Sequence, residues 1–242
     1  MRAGAEEDKL RHYDEALRHY QEAVQAAEKL QPHDMRLVTA LDHVGNHYLG
    51  QNPVAAQSAY ERELKTAQEL FGPQSSNLTG PLQSLGRNAL MQKDYATAEK
   101  FFSRAVDINE KVFGEGSNKV AESLVQASSV YFVQQDYEKE EPYLLRAVRI
   151  DEALYGAENI GTLIPRSTLC ALYDHWEKPD KAAACDQQLL TVLEKQYGVK
   201  SPVLVGTLGS EAKALRKLGR SQEADKIDER VASIRAATMA SN

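Results

Sequence analysis

Four times in the chain an aromatic residue sits directly before a glycine. The pairs are Phe71-Gly72, Phe113-Gly114, Tyr155-Gly156 and Tyr197-Gly198, and each glycine lies 42 residues after the one before. A fixed period of that length is the signature of a solenoid, in which one supersecondary unit is stacked on copies of itself. Each repeat then buries its apolar face only against its neighbours. The 242 residues are therefore expected to form a single array over 1–242, with repeats at approximately 1–33, 34–74, 75–116, 117–158, 159–200 and 201–242.

The unit between two glycines reads as a helix–turn–helix. From Lys93 to Gly114, apolar residues fall at Tyr95, Ala98, Phe102, Ala105, Val106, Ile108 and Val112, the i, i+3, i+4, i+7 spacing of an amphipathic helix. Gly114 is placed to supply a left-handed C-cap. The preceding stretch carries Leu82, Leu85, Gly86, Ala89 and Leu90 at helical spacing, and a polar turn from Gln92 to Asp94 joins the two. A shift of 42 maps Ala98 onto Ala56, Glu140, Ala182 and Ala224, and Phe102 onto Tyr60, Leu144, Asp186 and Asp228. Small residues recur where helix backbones approach closely, and large ones fill the space beside them.

The departures are informative. The turn between Gly45 and Ala56 is one residue shorter than its successor, so Gly45 and Tyr48 take the roles of Gly86 and Ala89. Glu63, Glu140 and Glu211 put carboxylates where small or apolar residues are expected. The first repeat keeps Ala16, Tyr20 and Ala23, but its first helix has room for about ten residues. This reads as a piece of a longer array or a shortened N-terminal cap. The last helix pair, Ser201 to Ala237, is the most polar and reads as the C-terminal cap.

The pattern resembles the tetratricopeptide repeat, in particular the 42-residue form of kinesin light chains. The residues that carry the likeness are Tyr95, Ala98-Glu99, Phe102, Arg104-Ala105-Val106, Ile108, Glu110 and Phe113-Gly114. The next copy repeats it with Tyr137 and the run Glu141 to Ile150. Pro142, a helix breaker by itself, has counterparts near the start of the second helix in such repeats. The resemblance implies an adaptor that binds peptide segments of partner proteins. The expected fold is all-α: a right-handed α-solenoid, or superhelix, of about five and a half antiparallel repeats.

Composition narrows the function classes. A net charge of −6 argues against a nucleic-acid partner, which calls for a basic face. No apolar run approaches a membrane span, and the N-terminal MRAGAEEDKL has no apolar signal core. The two cysteines, Cys170 and Cys185, fall at small core positions and read as free buried thiols, so a reducing, cytoplasmic location is expected. No Walker loop, dinucleotide fingerprint, nucleophile elbow or HExxH occurs, so no enzyme activity and no cofactor are expected. His43 and His47 share a helix face with the i, i+4 spacing of metal ligands. No third ligand is identifiable, and they read as histidines packed between helices.

In such an array the first helix of each pair lines the concave side. Its residues not used in packing are the candidate peptide-binding set. They are Asp42 and Asn46; Gln83, Arg87 and Leu90; Glu122, Val125, Ser129 and Phe132; Ser167, Ala171 and Asp174; and Lys213, Arg216 and Lys217. Asn46 and Arg87 suit a peptide backbone or carboxylate, while Leu90 and Phe132 offer apolar contacts. Lys213, Arg216, Lys217 and Arg220 form a basic cluster that suits either a solubilising cap or an acidic partner segment. Some proteins of the resembled family clamp chaperone tails with Lys and Asn. Here Asp42 and Ser84 stand in those places, and an aspartate repels a peptide carboxylate, so no such binding is expected. The expected function is a non-catalytic scaffold holding a partner's peptide in the concave groove, with end repeats open to weak self-association. The alternative is a sensor or regulatory repeat region of a larger protein whose effector domain lies outside this chain.

Overall fold

The computed structural model describes residues 2–30 and 33–240, with side chains from 13 to 239. Among the described residues there are eleven α-helices and no strand. They are α1 (Arg2–Glu28), α2 (Met35–Tyr48), α3 (Pro53–Phe71), α4 (Thr79–Met91), α5 (Tyr95–Phe113) and α6 (Asn118–Gln134). There follow α7 (Tyr137–Tyr155), α8 (Leu163–His175), α9 (Pro179–Tyr197), α10 (Leu204–Lys217) and α11 (Ser221–Ala240). Short 3-10 turns, Ser76–Leu78 and Ile160–Thr162, lead into α4 and α8. The result is one leading helix and five helix pairs, matching the five and a half repeats expected.

The leading helix is a correction. The first repeat was expected as two helices, yet α1 runs unbroken over 27 residues. No proline occurs in it, and its Ala, Glu, Leu, Gln and Arg content favours helix continuation.

The joints explain the period. At Gly72, Gly114, Gly156 and Gly198 φ is between +84° and +91°. The accompanying ψ at Gly72, Gly156 and Gly198 is 163°, 146° and 153°. At those three joints the backbone lies in the extended positive-φ region that essentially only glycine enters. The turn inside each pair needs positive φ as well. It falls on Gly50, Lys93, Gln135, Glu177 and Gly219, so three non-glycine residues sit in the left-handed region there.

By its internal contacts the chain divides into two compact units, Met1–Val112 and Phe113–Asn242. In the first unit Val24, Ala27, Leu37, Ala40 and Leu41 seat α1 on α2. Val38, Ala67, Leu78, Leu82, Ala105 and Ile108 make a second cluster. Gly45 lies against the Tyr60 ring, and an added Cβ would stand 2.3 Å from it; Gly86 lies likewise on Phe102, at 2.8 Å. The two aromatics are 42 residues apart, so the phase shift inferred at Gly45 has a contact behind it. In the second unit a continuous core joins Leu144, Leu169, Leu172, Leu189, Leu193, Leu204, Leu208 and Leu215.

The cysteines overturn their expectation. Cys170 on α8 and Cys185 on α9 are both buried, as read, but they form a disulfide with Cα atoms 5.3 Å apart. Cys170 is the equivalent, two periods on, of Gly86, the place where paired helices come closest. Side chains facing each other there fall within disulfide reach. The inference from free thiols to a reducing compartment therefore loses its basis. Among the described residues no helix is long and apolar enough to cross a membrane.

Candidate functional site

In the first unit, the first-helix face carries a hydrogen-bonded polar network. Tyr60 Oη donates to Asn46 Oδ1 at 2.8 Å, and Asn46 Nδ2 donates to Asp42 Oδ2 at 2.9 Å. The Arg87 guanidinium donates to Ser84 Oγ at 3.1 Å. Beneath them Glu63 of α3 is buried, and its Oε2 has no hydrogen-bond partner. Burial first, and the Asp42 carboxylate second, push Glu63 up to about 8, against the opposing pull of Arg87. Burial also pushes the Tyr60 phenol up to about 12. Gln83 and Leu90 are half-buried beside this network, and Arg87 is exposed. Asn46, exposed on this face, thus links Tyr60 to Asp42.

His43 and His47 face α1. His43 stacks on Tyr20 with ring centroids 5.1 Å apart, and His47 stacks on Tyr13 at 3.6 Å. Tyr13 also donates its hydroxyl to the His47 carbonyl. Burial holds His47 below the usual imidazole range. Among the described residues no cluster of three or more potential metal ligands occurs.

In the second unit, two neighbouring first helices and the helix behind them enclose a pocket. α6 contributes Val125, Gln126, Ser128, Ser129 and Phe132, and α8 contributes Ser167, Thr168, Ala171 and Leu172. Five residues chosen from sequence therefore line one cavity: Val125, Ser129, Phe132, Ser167 and Ala171. Its lining is mostly apolar, with one carboxyl, Glu140 of α7. Glu140 is 2 % exposed and its Oε2 has no hydrogen-bond partner. Burial alone pushes it up to about 7. The Phe132 ring meets His175 edge-on at 5.2 Å.

The other expected residues lie outside this pocket. Glu122 is exposed and paired with Lys119 at 2.8 Å. Asp174 lies 3.8 Å from Lys213. Behind them Asp186 of α9 is buried with an unpartnered Oδ2, pushed up to about 7 by burial, then by Asp174 and Glu211. The basic cluster is already matched within the chain. Arg216 reaches Asp225 at 3.1 Å and also Asp228, Lys217 reaches Glu177 at 3.3 Å, and Arg220 reaches Glu223 at 2.7 Å. Each cation has a carboxylate beside it, which weakens the positive field read from sequence.

Sequence reasoning missed Glu140 as a site residue. Its signal was present, since Glu140 occupies the position of Ala98 in the repeat, but the off-pattern carboxylate was noted without a role.

Comparison with known proteins shows what this array is similar to. The family model described as the tetratricopeptide repeat matches residues 78–153. Those residues are tetratricopeptide repeats. No curated protein matches the chain. Among solved structures, the crystal structure of BtubC (BKLC) from P. vanneervenii is 22 % identical, with a TM-score of 0.78. The match covers 93 % of this chain and 92 % of that one. A Podosopora anserina putative kinesin light chain structure with nearly identical TPR-like repeats is 16 % identical at a TM-score of 0.70, over 83 % of this chain and 96 % of that chain. The crystal structure of MamA protein is 18 % identical at a TM-score of 0.55, covering 81 % and 91 % respectively. These likenesses show the fold, an all-α solenoid of helix pairs.

Proposed function

We propose that this tetratricopeptide solenoid is a non-catalytic interaction scaffold that binds a peptide segment of a partner protein along the groove lined by its first helices. The pocket between α6 and α8 carries the reading. It is concave and largely apolar, and it holds one ionisable group. Phe132 is 39 % exposed, a large apolar surface in a cavity rather than on an open face. The repeats form the groove before any ligand arrives, so little ordering entropy opposes binding.

Affinity capture with wild type beside Phe132→Asp and Asn46→Ala/Arg87→Glu tests this. A partner held by wild type and lost by folded Phe132→Asp is the expected outcome. A partner retained by both variants would move the binding surface to another face of the solenoid.

A further inference from the structure

Buried acids in this protein differ in what surrounds them. Glu63 has the Arg87 cation in its field, and Asp186 has two other carboxylates in its own. Glu140 has neither: desolvation is the whole cause of its shift, and it is the single charged residue among those lining its pocket. Charged groups nearby on the surrounding helices are engaged elsewhere. On α7 itself, Glu141 accepts from Lys181 at 2.6 Å and from Tyr173 at 2.7 Å. On α6, Glu122 pairs with Lys119, and on α8, Asp174 lies by Lys213 while His175 stands against Phe132.

We propose that the pocket between α6 and α8 is the receptor for one basic side chain, a lysine or arginine, of the bound peptide. Its aliphatic stem lies against Val125, Phe132 and Ala171, and its cationic head meets the Glu140 carboxylate. This rests on the groove being the peptide site and specifies what the peptide must carry.

Three observations select a cation. A carboxylate closed off from water with an unpartnered oxygen is costly unless an opposite charge or a donor reaches it. The walls leading to it are apolar, which suits the methylene stem of a long basic side chain. The Phe132 ring beside the entry favours a cation over an anion. An acidic side chain would meet Glu140 and a chain of net charge −6. A purely aliphatic one would leave the carboxyl unmatched.

The test uses the full chain and four pools of acetylated, amidated peptides with randomised flanks. The central residue is fixed as Lys, Arg, norleucine or Glu. Norleucine keeps the lysine stem and removes the ammonium. Binding is read for wild type, Glu140→Gln, and Ala171→Trp, which fills the pocket from an exposed position. The expected result is at least about tenfold stronger binding of the Lys and Arg pools than of the norleucine and Glu pools. That preference should collapse in Glu140→Gln and all binding should fall in Ala171→Trp. For wild type the preference should also grow from pH 5.5 to 8.5, about a unit or more either side of the Glu140 midpoint. Equal binding of the norleucine pool, still lost in Ala171→Trp, overturns the basic-side-chain assignment and leaves the groove standing. Binding unaffected by Ala171→Trp, or absent from every pool, overturns both.

Discussion

Glu63 in the first unit and Glu140 in the second are both nearly fully buried acids on second helices, yet their surroundings diverge. Glu63 lies under Asp42, Asn46 and Tyr60, which hydrogen-bond one another, and within the field of Arg87. Glu140 lies under Val125, Phe132, Ala171 and Leu172, which offer it nothing. The same departure from the repeat pattern therefore has two meanings. In one unit it lies buried beneath a polar network. In the other it lines a largely apolar pocket.

Both acids have raised pKa values, so the sign of their pH dependence is fixed. Each contributes full stability below its unfolded value near 4.5, and that contribution is lost as pH rises, through about 8 for Glu63 and about 7 for Glu140; Asp186 behaves alike, from 3.8 to about 7. The largest expected effect is a fall in stability on the order of a few kcal/mol between pH 5 and pH 9. Urea unfolding of wild type and Glu63→Gln at both pH values checks it. The variant should flatten the decline more than Glu140→Gln does. Equal flattening would erase the distinction between the two acids.

Next in size is the disulfide. Cys170→Ser/Cys185→Ser should destabilise by about 3 kcal/mol for a loop of this length. Hydrogen exchange should accelerate in α8 and α9 while α2 to α4 stay as they were. A loss spread evenly over both units would deny them their separate stability. Gly86→Ala tests the equivalent contact in the first unit. Its Cβ would press on the Phe102 ring, at about 1–3 kcal/mol of destabilisation in thermal or chemical melts. The smallest effect is a gain. Lys93→Gly, Gln135→Gly and Glu177→Gly should each stabilise by about 0.5–1 kcal/mol, because a non-glycine residue now occupies a left-handed turn position.

Much of this was legible in the chain itself. The 42-residue spacing announced the helix pairs, and 3.6-residue periodicity picked Val125, Ser129, Phe132, Ser167 and Ala171, which the structure gathers into one pocket. Helical periodicity reports which face a residue occupies, and the pocket is a property of faces. It does not report which residue of one helix meets which residue of the next. That is why the Cys170–Cys185 pairing went unseen, and why the basic cluster on α10 was read without its partners Asp225, Asp228 and Glu177. α1 was split because its phase was carried over from later repeats, whereas its own residues favour continuation.

The helices α3, α5, α7 and α9 are each 19 residues long, and each is followed by a glycine whose φ other residues rarely adopt. Length and joint are thus set together, one unit at a time. A single-residue insertion in such a helix would rotate its packed face by about 100° relative to the joint. Insertion or removal of a full 42 residues would return every side chain to its place. Change in whole modules is therefore the route by which an array like this can lengthen or shorten while keeping its pockets intact.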